Sequence, residues 1–333
     1  MKIITAGFTL LSVFGALLTV ACTERSWQQP VADRIAQIDI ARLQEHIGIL
    51  TQHGPRSPGN SMAVQHSVAY IKSRLKEYGY QPLEEVLVAD TTTSSREIPF
   101  VNIIAEHRGS GTPSRILELG AHYDTVDTSP GADDNASGVA AMLEIARIIA
   151  PLETERTIRF CFFALEENGR DGSYFHVRQL HEKQEVLDGA IIFEMIGYAT
   201  DAPDSQATPA RIPLLFSPPA TGNFVAVVGN LHSGSLGNQF ENAADSYVPE
   251  LPYFSANRLG GFFRDALRSD HKPYWDHSYR AIMLTDTADF RNPHYHKSSD
   301  TGDTLNYTFL QQVASATAAT LLDAAKVINP PDN

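Results

Sequence analysis

Residues 120–138 read GAHYDTVDTSPGADDNASG. The stretch sets His122, Asp124 and Asp134 in one turn-rich loop, after the apolar Ile116, Leu117 and Leu119 and before an apolar helical pattern. An imidazole and carboxylates gathered this closely are poor packing material, because each must be desolvated and partnered to lie inside a protein. For His122 and Asp124 alone, a hydrogen-bonded loop pair would be an adequate account. As a group, the residues read as half of a metal site, so the rest of the chain is searched for the other half.

Working outward, residues 157–165 are nearly continuously apolar, as in a strand covered on both faces, and Glu166 and Glu167 follow. Residues 190–193 form a second short buried strand, ending at Glu194. Residues 86–88, 101–105, 116–119 and 281–284 read as further strands, and 224–228 as a strand or the start of a helix. Helical spacing of apolar residues marks 31–52, 61–78, 136–150, 174–181 and 306–328, with Gly79 and Pro151 as stops. Residues 53–60 read as a loop from their Gly and Pro. Residues 198–222, rich in Pro, Ala and Ser, read as a long excursion that either rims a site or is uninvolved. Strands alternating with helices predict an α/β fold, with a largely parallel central sheet and its site beyond the carboxyl ends of the strands. His122, Glu166, Glu167 and Glu194 all fall just past such ends.

Hydrolysis of an amide at neutral pH needs a strong nucleophile and a sink for developing charge. Two divalent ions about 3.5–4 Å apart supply both. Zinc ions in that role take N and O ligands and leave positions open, with a general base alongside. His122 offers an imidazole, Asp134 is placed to bridge, and Glu167 and Glu194 offer carboxylates. Glu166, next to Glu167, suits the base. His296 is the second imidazole, in competition with His294. Asp124 is suited to orient His122.

With the segments His122-Tyr123-Asp124, Gly131-Ala132-Asp133-Asp134-Asn135-Ala136-Ser137-Gly138, Leu165-Glu166-Glu167-Asn168-Gly169, Glu194-Met195-Ile196-Gly197, Ser269-Asp270-His271 and Tyr295-His296 in this order, the chain resembles the M28 family of zinc exopeptidases, bacterial aminopeptidase type, over about residues 54–306. The resemblance implies a zinc-exopeptidase-like three-layer domain, its mixed, largely parallel sheet flanked by helices. It implies two zinc ions per chain, one on His122, Asp134 and Glu194, the other on Asp134, Glu167 and His296. Glu166 would move the proton, Asp124 would orient His122, and Tyr295 would donate to the oxyanion. The peptide after Asp134 would be cis, and the substrates would be peptide or protein N-termini. Asp270 and His271 would either line the substrate pocket or brace a loop. Three positions depart from the family pattern: Glu194, where many members have Asp; Asp171; and Lys297. A glutaminyl cyclase on the same scaffold and a carboxypeptidase remain alternatives, although residues 135–138, usually altered in such cyclases, are intact. A non-enzymatic binding domain would have lost a ligand or the base, and neither is lost.

A formal net charge of -13 argues against a nucleic-acid partner held through phosphates. Residues 1–22 read as an export signal: Lys2, a mostly apolar run over 3–20, then Ala21. Thr19-Val20-Ala21-Cys22 resembles a lipobox with Thr19 in place of the usual Leu. Residues 23–30 read as a tether and 31–333 as a single catalytic domain. The expected location is the periplasm or membrane surface of a bacterium, with membrane contact only through a lipid on Cys22. The other cysteine, Cys161, lies in an apolar run and reads as a buried thiol.

Overall fold

The computed structural model describes residues 28–87, 100–208 and 217–328. The leader, the lipobox with Cys22, most of the tether, Val88 and residues 209–216 lie outside the described residues. Eight strands form one sheet: β1 (Leu83–Val86), β2 (Val101–His107), β3 (Thr112–His122), β4 (Arg156–Phe163), β5 (Leu187–Glu194), β6 (Val225–Gly229), β7 (Tyr253–Ala256) and β8 (Ala281–Thr285). Their order is β1-β2-β4-β3-β5-β8-β6-β7. The central run β4-β3-β5-β8 is parallel. β2 is antiparallel to β4, and β6 is antiparallel to β8. The sheet is therefore mixed, as expected.

The period-two alternation of strand side chains decides what packs where. In β4, Ile158, Phe160 and Phe162 join a large core with residues of α2 (Ile40–Thr51), α3 (Ser61–Glu77), α4 (Gly138–Ile149), α6 (Gly234–Tyr247) and α8 (Tyr307–Ala325). Cys161 and Phe163 point the other way, to Val177 and Leu180 of α5 (Asp171–Glu182) and Tyr274 of α7 (His271–Asp276). At the β6–β8 end, Ala226, Val228 and Met283 share that second face with Phe224, Phe254, Ala266 and Trp275. Among the described residues no helix is long and apolar enough to cross a membrane.

Several boundaries differ from the sequence reading. Residues 31–52 are two helices, α1 (Gln29–Ile35) and α2, because the Asp39 side chain accepts the Ala41 N–H and caps a new start. The first strand begins at Leu83. The helix expected over 136–150 starts at Gly138, because Asp134 and Asn135 hold non-helical backbone angles in the wide turn before it. α6, β7 and α7 are additions to the expected elements; in α6, Leu236, Phe240, Ala243, Ala244 and Tyr247 recur at helical spacing and are buried on one face. α6 contains two glycines, Gly234 and Gly237, and is held by buried Leu236, Phe240 and Tyr247 instead of by propensity.

α5 starts at the end of β4 through the Gly172 N–H, which donates to the Ala164 carbonyl at 3.0 Å. A Cβ at Gly172 would lie 2.2 Å from that oxygen and 2.5 Å from Asn102 Oδ1. Gly172→Val should therefore destabilise the protein by about 1–3 kcal/mol. The check is a lower urea midpoint at unchanged slope. A wild-type midpoint would show that α5 does not seat as described.

Candidate active site and metal centre

The parallel strands converge on one sheet edge. β3 ends at His122 and β5 at Glu194, and the chain leaving β4 turns at Leu165 to present Glu166 and Glu167. The loop before α4 brings Asp134, and the segment after β8 brings Tyr295 and His296. Two ligand sets result. His122 Nε2 lies 3.4 Å from Asp134 Oδ1 and 3.5 Å from Glu194 Oε2. His296 Nε2 lies 3.2 Å from Asp134 Oδ2 and 3.3 Å from Glu167 Oε1. Asp134 therefore gives one oxygen to each set.

Both sets can be tested for fit to a cation. His122 Nε2, Glu167 Oε1 and His296 Nε2 are buried without any hydrogen-bond partner. Orphaned buried polar atoms are costly, and here they face one another across gaps of ligating geometry. Nitrogen and carboxylate donors in sets of three suit zinc.

Three ligand-bearing turns use left-handed backbone that non-glycine residues avoid: Leu165 (φ 59), Met195 (φ 50) and His296 (φ 57). Each costs of order 1–3 kcal/mol and needs local support. Asp124 accepts the Glu166 and Glu167 N–H groups at 3.1 and 3.2 Å. Asn135 accepts the Met195 N–H at 3.1 Å and donates to the Phe193 carbonyl at 2.9 Å. Thr128 donates to the His296 carbonyl at 2.9 Å. Asp300 takes the Asp133 and Asp134 N–H groups at 2.9 and 3.1 Å. The Asp134–Asn135 peptide is cis. Toward His122 the nearer acceptor is the Asp124 carbonyl, 3.2 Å from Nδ1, with the Asp124 carboxylate at 3.6 Å.

Beside the ligands lies an open cleft. Glu166 lines it together with Asp134, Glu167, Glu194 and Tyr295. Burial pushes the Glu166 pKa well above the usual carboxylate range, helped by Glu194, Asp270 and Glu167 and opposed by His122. Tyr295 stacks on His296 with ring centroids 3.8 Å apart, and its hydroxyl accepts from Arg268 Nη2 at 3.1 Å. Away from the ligands the floor is apolar: Phe224, Ala226, Val228, Phe254 and Met283.

The sequence profile of Peptidase family M28 matches residues 102–321, more than half of the chain. The chain belongs to peptidase family M28. It is accordingly a zinc-dependent metallopeptidase. It is 32% identical to protein YfbL of Escherichia coli (strain K12), over 97% of this chain and 100% of that protein. In fold it is similar to BSAP, a zinc aminopeptidase from Bacillus subtilis (TM-score 0.67, 18% identity, 89% of this chain and 97% of that one). It is also similar to a Porphyromonas gingivalis glutaminyl cyclase (TM-score 0.63, 21% identity, 86% and 99%). At these identities the structural likeness shows the fold, which a peptidase and a cyclase share.

Against the M28 pattern, the departing residues have local explanations. The longer arm of Glu194 is held by Ser269, whose hydroxyl donates to Oε2 at 2.6 Å. Asp171 is the first residue of α5, where a negative charge is favourable. Lys297 Nζ donates to the Pro293 carbonyl at 2.6 Å. His294 is held by Ser299 at 2.9 Å and joins neither ligand set. Asp270 and His271 are fully buried and are not part of the cleft wall. Asp270 accepts from Ser173, and His271 Nε2 lies 2.7 Å from the Ala266 carbonyl. Burial lowers His271 to about 4, leaving it neutral. These two residues brace a loop.

A third grouping, Glu118, Cys161 and His176, also has ligating distances. There, however, the carboxylate is already occupied by Arg159 (2.7 Å), Tyr274 (2.7 Å) and His176 (3.3 Å). Burial alone would raise Glu118, but His176, Arg159 and Tyr274 together hold it at about 2. This is an internal ion network under the sheet, and Cys161 is the buried thiol expected.

Asp124→Ala should release the Glu166–Glu167 turn and weaken zinc binding by about 10–100-fold. A competitive chelator titration measures this. Unchanged affinity would show that the turn holds itself.

Proposed function

We propose that the chain removes N-terminal residues from peptides, with zinc held on both ligand sets and Glu166 as the proton carrier. The observation that carries the reading is the pairing of the two sets through Asp134, with an unligated, buried Glu166 in the same cleft. Bound zinc would supply an acidified water and a polarised carbonyl. Glu166, which lines the cleft beside both sets and belongs to neither, takes the proton from the attacking water at its carboxylate and returns it to the leaving amine. Because Arg268 donates to the Tyr295 oxygen, the phenolic proton is free to point at the substrate oxygen that becomes negative. The apolar floor suits a large apolar side chain on the residue removed. The leader supports export, and the Cys22 context supports a lipid anchor.

A glutaminyl cyclase, which needs one zinc, is disfavoured by two complete sets and by the intact residues 135–138. It would convert N-terminal Gln peptides with loss of ammonia and without shortening them. A carboxypeptidase would trim the other end.

Glu166→Gln should lower hydrolysis by at least about 10²-fold while zinc content, read by elemental analysis, stays that of wild type. Full activity in this variant refutes the assigned base. In a peptide library read by mass spectrometry, Leu, Met, Phe and Tyr N-termini should be cleaved about 10–200-fold faster than Gly or Asp. Ala226→Phe should shift the preference to small residues, and equal cleavage of all classes sinks the apolar-floor reading. The mass of the mature N-terminus from the native host checks export and the lipid on Cys22.

A further inference from the structure

We propose that Arg56 is the resident counter-charge of the metal centre. It sets the two halves of the ligand loop in register and allows the acidic cluster to fold before any cation arrives. This rests on the two-set metal reading above. Arg56 is fully buried, in the loop between α2 and α3. Its Nε donates to the Tyr123 carbonyl at 2.6 Å, between His122 and Asp124. Its Nη1 donates to Pro130 O at 2.6 Å and Leu50 O at 3.3 Å, and its Nη2 to Gly131 O at 2.8 Å. One planar fork thus spans the end of β3 and the turn that leads to Asp134. The approach is close enough to require glycine: a Cβ on Gly131 (φ +63) would lie 3.0 Å from Arg56 Nη2 and 2.1 Å from Asp134 O.

Every one of these hydrogen bonds goes to a neutral carbonyl. A buried guanidinium without a contacting carboxylate is costly, and burial lowers Arg56 to about 10. What offsets the cost is the field of Asp300, Asp124, Asp134 and Glu167. Without a cation, carboxylates crowd one sheet edge; the imidazoles of His122 and His296 face them from within the cluster, and Arg56, bonded to the main chain beside His122 and before Asp134, adds a permanent positive charge beneath. The same charge opposes an incoming cation. Arg56 therefore stabilises the metal-free protein more than the loaded one. Lysine would keep the charge and lose the fork.

The test compares melting temperatures of wild type, Arg56→Gln and Arg56→Lys, each chelator-treated and then titrated with zinc. Arg56→Gln should lower the melting temperature of the metal-free protein by roughly 5–10 °C, with zinc recovering the larger part, so that the zinc-induced rise exceeds that of wild type. Arg56→Lys should lower both forms alike and keep the wild-type rise. In competitive chelator titration, Arg56→Gln and Arg56→Lys both lose the fork, so Arg56→Gln should bind zinc at least as tightly as Arg56→Lys; weaker binding by Arg56→Gln than by Arg56→Lys would overturn the counter-charge role. An equal loss in both forms, a smaller zinc-induced rise, or failure to fold even with zinc would overturn the proposal. Absence of any zinc-induced rise in wild type would instead sink the metal reading on which it rests.

Discussion

The site depends on carboxylates that accept main-chain N–H groups. Asp124 takes two consecutive donors from the chain leaving β4, and Asp300 takes two from the turn before α4. Such charge-assisted bonds are shorter and stronger than neutral ones. They are needed because the strand ends must turn sharply to aim their side chains at a common point. Left-handed backbone at Leu165, Met195 and His296 is tolerable only where neighbouring groups over-determine it. Under the proposed function, the acidic residues of this cluster divide into ligands, a proton carrier and a scaffold, three uses of one functional group separated by what each oxygen touches.

The scaffold also links segments far apart in sequence. Asp133 accepts from Gly197 N at 2.8 Å and from Asn292 Nδ2 at 2.7 Å, joining the end of β5 and the segment that carries His296. Asn135 and Ser137 add bonds to the chain after Glu194. A displacement of any one ligand is therefore resisted by the others through main-chain contacts, which is what a centre with fixed separations requires.

Much of this was legible in the sequence. His122, Glu166, Glu167 and Glu194 stood out because carboxylates and an imidazole directly after apolar strands have few structural uses, and His296 and Asp134 followed from motif order. The remainder was hidden for identifiable reasons. Arg56 sits in a Gly- and Pro-containing loop whose composition announces a turn but no partner. Ser269 belongs to a segment that carried the resemblance, yet its hydroxyl bond to Glu194, like the two main-chain N–H bonds of Asp300, joins segments far apart in sequence. Asp39 looked like one polar residue in a helical period, although its side chain starts a second helix. α6 was legible in the spacing of Leu236, Phe240, Ala243, Ala244 and Tyr247, but the glycines Gly234 and Gly237 and the many polar residues between them masked it.

The β6–β8 end of the sheet has a consequence of its own. There the second face is left to Ala226, Val228 and Met283, and it is covered by Phe254, Ala266 and Trp275 from short elements instead of a long helix. His122, Glu166, Glu167 and Glu194 hang from β3, β4 and β5, whereas much of the apolar wall is built from β6, β7 and the excursion at Gln206–Thr208, with β8 and the segment after it serving both. The apolar corner at Ala226, Val228 and Phe254 can therefore be reshaped without touching the strands that end at His122 and Glu194.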